Sequence, residues 1–126
     1  MVNKTRNLWE SLGFAADGIV YSIRTQRNIR IHCFCALGTI VVAGLFRVSR
    51  MEFLILVLTI VLVISLEIVN TAVETVVDMY TEEYLPLARI AKNVAAGAVL
   101  LASLGAVIVG LLIFGPKVWQ LLSWGR

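Results

Sequence analysis

The sequence predicts an all-α integral membrane protein, one amphipathic surface helix followed by three membrane-spanning helices. Three observations carry that prediction. The 126 residues are 60% hydrophobic with a mean hydropathy of +0.90, far too apolar for a soluble globule of this size. Three stretches, about 29–48, 52–77 and 91–114, are long enough to cross a bilayer, which takes roughly 20 residues each. Ahead of them, residues 5–26 alternate apolar and charged positions.

In that first element Leu8, Trp9, Leu12, Ala15, Ala16, Ile19 and Ile23 recur at three- and four-residue spacing, the pattern of a helix lying on a membrane surface. Trp9, Phe14 and Tyr21 suit the headgroup layer. No apolar core precedes Ile29 and no small-residue cleavage site follows one, so the segment does not read as a cleavable signal. The first span opens with Arg30 and His32 and is the least apolar of the three. Its Cys33 and Cys35, two residues apart on a helix, point to different sides and cannot bridge each other. His32 is the only histidine and has no partner at metal-ligand spacing.

Gly44 to Glu52 forms the short outer connection. The second span, from Phe53 to Val77, is nearly all Leu, Ile, Val, Ala and Thr. Asp78 to Arg89 forms the inner connection, where Pro86 breaks the helix. The third span opens with Lys92 and Asn93, then Ala95, Ala96, Gly97 and Ala98, small residues that permit close helix approach. With no repeats or linkers, residues 1–126 read as a single membrane-embedded domain.

The net charge is +3, and its placement sets the topology. Lys4, Arg6, Arg24, Arg27, Arg30, Arg89 and Lys92 would share one side; Arg47, Arg50, Lys117 and Arg126 would share the other. By the positive-inside rule the N-terminus and the 78–91 loop are cytoplasmic, in a multi-pass protein of the plasma (inner) membrane. Topology and anionic lipid account for the basic residues, so nucleic acid is not an expected partner.

Within the second span stand Glu67, Asn70, Glu74 and Asp78. At about 100° per residue, positions i, i+3, i+7 and i+11 fall in one narrow arc, a polar stripe roughly 16 Å long. A carboxylate in hydrocarbon costs several kcal/mol by most estimates, less where it faces a bundle interior or water. Near the same interface the sequence gathers Gln26, Asn28, Arg30, Glu82, Glu83, Lys92 and Asn93. Hard oxygen ligands with a lysine suit Mg²⁺ and phosphate, and a deeper carboxylate could reach the hydroxyl of a lipid. That set would support in-line phosphoryl transfer from ATP to a lipid alcohol, without a P-loop or a kinase glycine loop. The spacing alone equally allows interhelical hydrogen bonding in an oligomer or a proton or cation path.

The run Glu67-Ile-Val-Asn70-Thr-Ala-Val-Glu74-Thr-Val-Val-Asp78, followed by Glu83-Tyr84, Pro86-Leu87-Ala88 and Ala91-Lys92-Asn93, resembles the prokaryotic diacylglycerol kinase family. The segment Arg27-Asn28-Ile29-Arg30-Ile31-His32 resembles its Gram-positive branch, whose members phosphorylate undecaprenol. The resemblance implies a homotrimer that uses ATP and Mg²⁺ to phosphorylate undecaprenol or, as the alternative, diacylglycerol. It implies Glu67 as general base and Asn70 as the residue orienting Glu67 or the phosphoryl group. It gives Glu74 the metal ion on the ATP phosphates, Lys92 the triphosphate charge, and Glu83 and Tyr84 the nucleotide. Asp78 would support the site from one turn further out. Phe14 lies where the surface helix would pack by the nucleotide, though a membrane anchor would look the same.

Two positions depart from the family pattern. Gln26 stands where a second metal-binding Glu is usual, and Asn93 where Asp is usual. Each amide keeps the shape and removes a negative charge, so impaired metal binding and activity are expected. Either the substitutions were introduced to trap a complex or stabilise the trimer, or the chain is a natural variant relying on Glu74, Glu83 and water. A non-catalytic trimeric scaffold or small transporter is the reading of another class.

Overall fold

The computed structural model describes residues 7–80 and 85–123. They form four helices: α1 (Leu8–Thr25), α2 (Arg27–Leu45), α3 (Arg50–Tyr80) and α4 (Pro86–Ser123). The last three are long and apolar enough to cross a membrane.

Local chemistry sets the ends. Asn7 caps α1, its side chain accepting from the backbone N–H of Glu10 at 2.9 Å. Helix α1 stops at Gln26, whose extended backbone (φ −102°, ψ 125°) both ends α1 and begins α2. One residue therefore makes the corner from α1 to α2. The next turn differs from expectation: Gly44 stays helical, and the left-handed residue is Arg47, at φ 48°. Arg47 N–H bonds the Gly44 carbonyl at 3.2 Å and Val48 N–H the Ala43 carbonyl at 3.1 Å, the two bonds of a Schellman cap. That cap ends the first span at Leu45 rather than near 48. Ser49 and Glu52 then open α3 as a reciprocal capping box, with bonds of 2.6 and 3.2 Å.

Pro86 is the first residue of α4, where its missing N–H would have had no helical partner. Helix α4 runs past the expected end near 114 and carries Pro116 within it. At that end Lys117 Nζ lies 3.1 Å from Glu52 Oε1, and the Phe46 and Phe114 rings pack with centroids 6.2 Å apart. The contacts fix an up-down-up order in which α3 is antiparallel to both α2 and α4. Ala43, Leu56 and Ile113 form a small apolar cluster at the same end.

Burial in this chain is inverted relative to a soluble protein. Among the described residues the buried set holds six apolar side chains and four polar ones, Ser22, Glu67, Asn70 and Thr71. Phe34, Leu45, Leu101, Leu111 and Leu112 are among many large apolar side chains facing outward. That surface is stable in lipid or against other copies, not in water. The hydroxyls of Thr39, Thr59, Thr71 and Thr75 each donate to a carbonyl four residues earlier, so they satisfy themselves within their helices. Gly97, in the small-residue stretch of α4, makes no close helix contact inside one chain: a Cβ there would meet nothing within 4 Å.

Candidate active site

The stripe on α3 is aligned as its spacing requires, and the other helices close around its two ends differently. Glu67 is 2% exposed and Asn70 6%, whereas Glu74 is half-buried and Asp78 exposed. The stripe thus grades from the interior toward the interface over about three turns.

At the deep end, Glu67 meets the first turns of α2. Asn28, His32 and Glu74 all lie close enough to act on its carboxyl. Asn28 and His32, four residues apart, share a helix face. Thr71 Oγ1 donates to the Glu67 backbone carbonyl at 2.9 Å. Asn28 was expected near the interface without a role of its own, and His32 was not among the expected site residues. Their four-residue spacing was visible in the sequence, but only the antiparallel seating of α2 on α3 sets it against Glu67.

One turn outward, Asn70 Nδ2 donates to Glu74 Oε1 at 3.1 Å, and Gln26 Nε2 donates to Glu74 Oε2 at 3.3 Å. Asn70 therefore orients Glu74 here, and its own Oδ1 is buried without a hydrogen-bond partner. At the outer end Lys92 Nζ pairs with Asp78 Oδ1 at 2.5 Å. The fold brings together Gln26, Glu67, Asn70, Glu74, Asp78 and Lys92, drawn from two helices and one corner. Asn93 faces outward on α4. Phe14 is exposed on α1 and, twelve residues before Gln26, lies about 18 Å away along the helix axis; the chain does not bring it to this group. Glu83 and Tyr84 lie outside the described residues.

The donor set can be tested against a divalent ion. Among the described residues no three Asp, Glu, His or Cys side chains gather to hold one. Glu74 offers one carboxylate, and Gln26 presents its NH₂ rather than its carbonyl oxygen. This set fits Mg²⁺ carried mainly by phosphate oxygens and water, as Mg²⁺ often is. It does not fit an ion held by the protein alone.

Beside Glu67, between α2 and α3, lies a groove with about 330 Å³ of open space, lined by His32, Cys35, Ala36, Thr39, Ile60, Val63 and Ile64. It is apolar apart from His32 and Thr39 and runs toward the opposite face of the membrane.

The sequence profile of prokaryotic diacylglycerol kinase matches residues 13–114. A diacylglycerol kinase of Synechocystis sp. is 44% identical over 117 residues, covering 92% of this chain and 67% of that protein. An undecaprenol kinase of Bacillus subtilis is 39% identical over 115 residues, covering 91% and 94%. A diacylglycerol kinase of Escherichia coli is 29% identical over 117 residues, covering 93% and 88%.

Proposed function

The chain belongs to the prokaryotic diacylglycerol kinase family and is a membrane lipid kinase; from that premise we propose that it transfers the γ-phosphoryl group of ATP to undecaprenol. The observation that carries the reading is the polar stripe itself. It joins a buried carboxylate, deep enough to meet a lipid hydroxyl, to a half-buried carboxylate and a lysine at the interface where ATP arrives.

Glu67 and Glu74 stand seven residues apart, about 10.5 Å along the axis, so one cannot do the work of the other. The lipid hydroxyl meets Glu67, which takes its proton as the oxygen attacks the γ-phosphorus. The bond from γ-phosphorus to the β,γ-bridging oxygen breaks in line, and ADP leaves. The transferred group passes beside Asn70, whose unpaired Oδ1 is available to accept from the hydroxyl. Asn28 and His32 stand beside the Glu67 carboxyl, and His32 also lines the groove. Lys92 carries charge at the triphosphate end, exchanging Asp78 for phosphate oxygens. Glu74 would hold Mg²⁺ brought by the nucleotide, and the ion would supply charge neutralisation on the phosphates.

The choice of lipid rests on one segment; the groove beside Glu67, apolar apart from His32 and Thr39, accommodates hydrocarbon next to the base for either lipid. The Arg27-Asn28-x-Arg30-x-His32 segment is of the polyprenol type. The Synechocystis relative, a diacylglycerol kinase at 44% identity, favours diacylglycerol as the second reading. The protein works as a homotrimer with its N-terminus and active site on the cytoplasmic side of the plasma membrane; the outward-facing apolar surface is compatible with neighbouring copies.

The test is ³²P transfer from ATP in mixed micelles, with undecaprenol and diacylglycerol offered separately. Preferential labelling of undecaprenol is expected. Preferential labelling of diacylglycerol would replace the polyprenol reading, and labelling of neither would remove the lipid kinase reading.

A further inference from the structure

We infer that Gln26 makes this a one-ion site, which accepts its divalent cation only as part of the metal–nucleotide complex. The inference rests on the kinase reading and goes beyond it, because it sets the order and number of ions.

Both oxygens of Glu74 accept an amide NH₂, from Asn70 at 3.1 Å and from Gln26 at 3.3 Å. The carboxylate is thereby oriented and partly neutralised with no cation present. Gln26 is not a loose surface amide. It is the single extended residue between α1 and α2, half-buried, with its N–H bonded to the Ser22 carbonyl at 2.9 Å. Two helices aim its side chain at α3.

To ligate an ion, Gln26 must turn its amide over so that Oε1 faces Glu74, which breaks the bond it now makes. An amide brings no charge to offset that loss, and its oxygen is a weaker ligand than a carboxylate. Among the described residues no other acidic side chain compensates beside Glu74: Asp78 is engaged by Lys92, and Asn93 is itself an amide. A bare cation would therefore meet one carboxylate already held by two donors. A cation arriving on a nucleotide brings phosphate oxygens with it, and needs only one bond to Glu74.

Mn²⁺ is the probe, counted by loss of its free-ion electron paramagnetic resonance signal. The full chain in detergent is titrated with Mn²⁺ alone and with Mn²⁺ plus a β,γ-imido ATP analogue, and Gln26→Glu is titrated alongside. The expected result is at least tenfold weaker retention of Mn²⁺ alone by this chain than by Gln26→Glu, and one Mn²⁺ per bound analogue. Retention of Mn²⁺ alone as tight as that of Gln26→Glu overturns the inference, as do two ions per analogue. If Gln26→Glu does not fold, the two arms on the unaltered chain decide: tight binding of Mn²⁺ without the analogue overturns it. Retention of the analogue is measured on the same samples. An analogue bound with the wrong ion pattern defeats this inference alone; an analogue not bound at all defeats the kinase reading and this inference with it.

Discussion

Replacing Lys92 with Met separates two roles that one side chain could have. In the structure its ammonium pairs with Asp78, and the two side chains are 36% and 63% exposed. An ion pair that open to its surroundings is worth about 0–1 kcal/mol, so its loss should change stability by less than about 1 kcal/mol. A charge-assisted hydrogen bond to a triphosphate is worth about 1.5–3 kcal/mol, which corresponds to roughly 10–150-fold in affinity at about 1.4 kcal/mol per tenfold. The assay is phosphoryl transfer at varied ATP with lipid held saturating, paired with thermal unfolding in the same detergent. Lys92→Met should raise KM for ATP about 10–150-fold while its unfolding temperature moves little. Asp78→Asn breaks the same pair but leaves the ammonium in place, so its KM should move far less. A Lys92→Met enzyme with unchanged KM, or one whose KM rises no more than that of Asp78→Asn, would refute the assignment and leave Lys92 a structural partner of Asp78.

Other substitutions probe the corner, the deep end and the outer turn. Gln26→Glu combined with Asn93→Asp should raise turnover at least roughly tenfold by restoring charge at a metal-binding position; an unchanged rate would sink that assignment. Asn28→Leu replaces a polar neighbour of a buried carboxyl group with an apolar one and should lower the unfolding temperature. Arg47→Gly relieves a left-handed backbone at φ 48°. The relief of about 1–2 kcal/mol exceeds the roughly 0.5–1 kcal/mol that glycine's extra chain freedom takes back. Thermal unfolding should therefore shift upward, and a downward shift would contradict the turn geometry.

The helix count and the α3 stripe were legible because both follow from local rules, span length and 100° per residue. What packs against the stripe was not. Gln26 and Glu74 are 48 residues apart, and their contact exists only once the corner between α1 and α2 is set against α3. Asn28 was gathered with the interface polar residues, but nothing in the sequence tied it or His32 to Glu67. Element ends moved for similar reasons. The outer connection was expected from Gly44 to Glu52, but a Schellman cap keeps Gly44 helical and turns the chain at Arg47. Helix α4 outlasts its apolar stretch and passes through Pro116 where Lys117 reaches Glu52 on another helix, a contact no window of sequence contains. Glu83 and Tyr84, whose roles came from resemblance, remain proposals for the nucleotide.

The most direct measurement is ³²P transfer from ATP to undecaprenol by this chain and by Glu67→Gln, with binding of the ATP analogue measured on both. The amide preserves shape and removes the proton acceptor, and general base catalysis typically contributes about 10²–10⁴-fold. The account predicts that Glu67→Gln binds the analogue as the unaltered chain does and labels the lipid at least about a hundredfold more slowly. Labelling by Glu67→Gln at the unaltered rate would contradict it, and the buried carboxylate would then belong to assembly or transport rather than to chemistry.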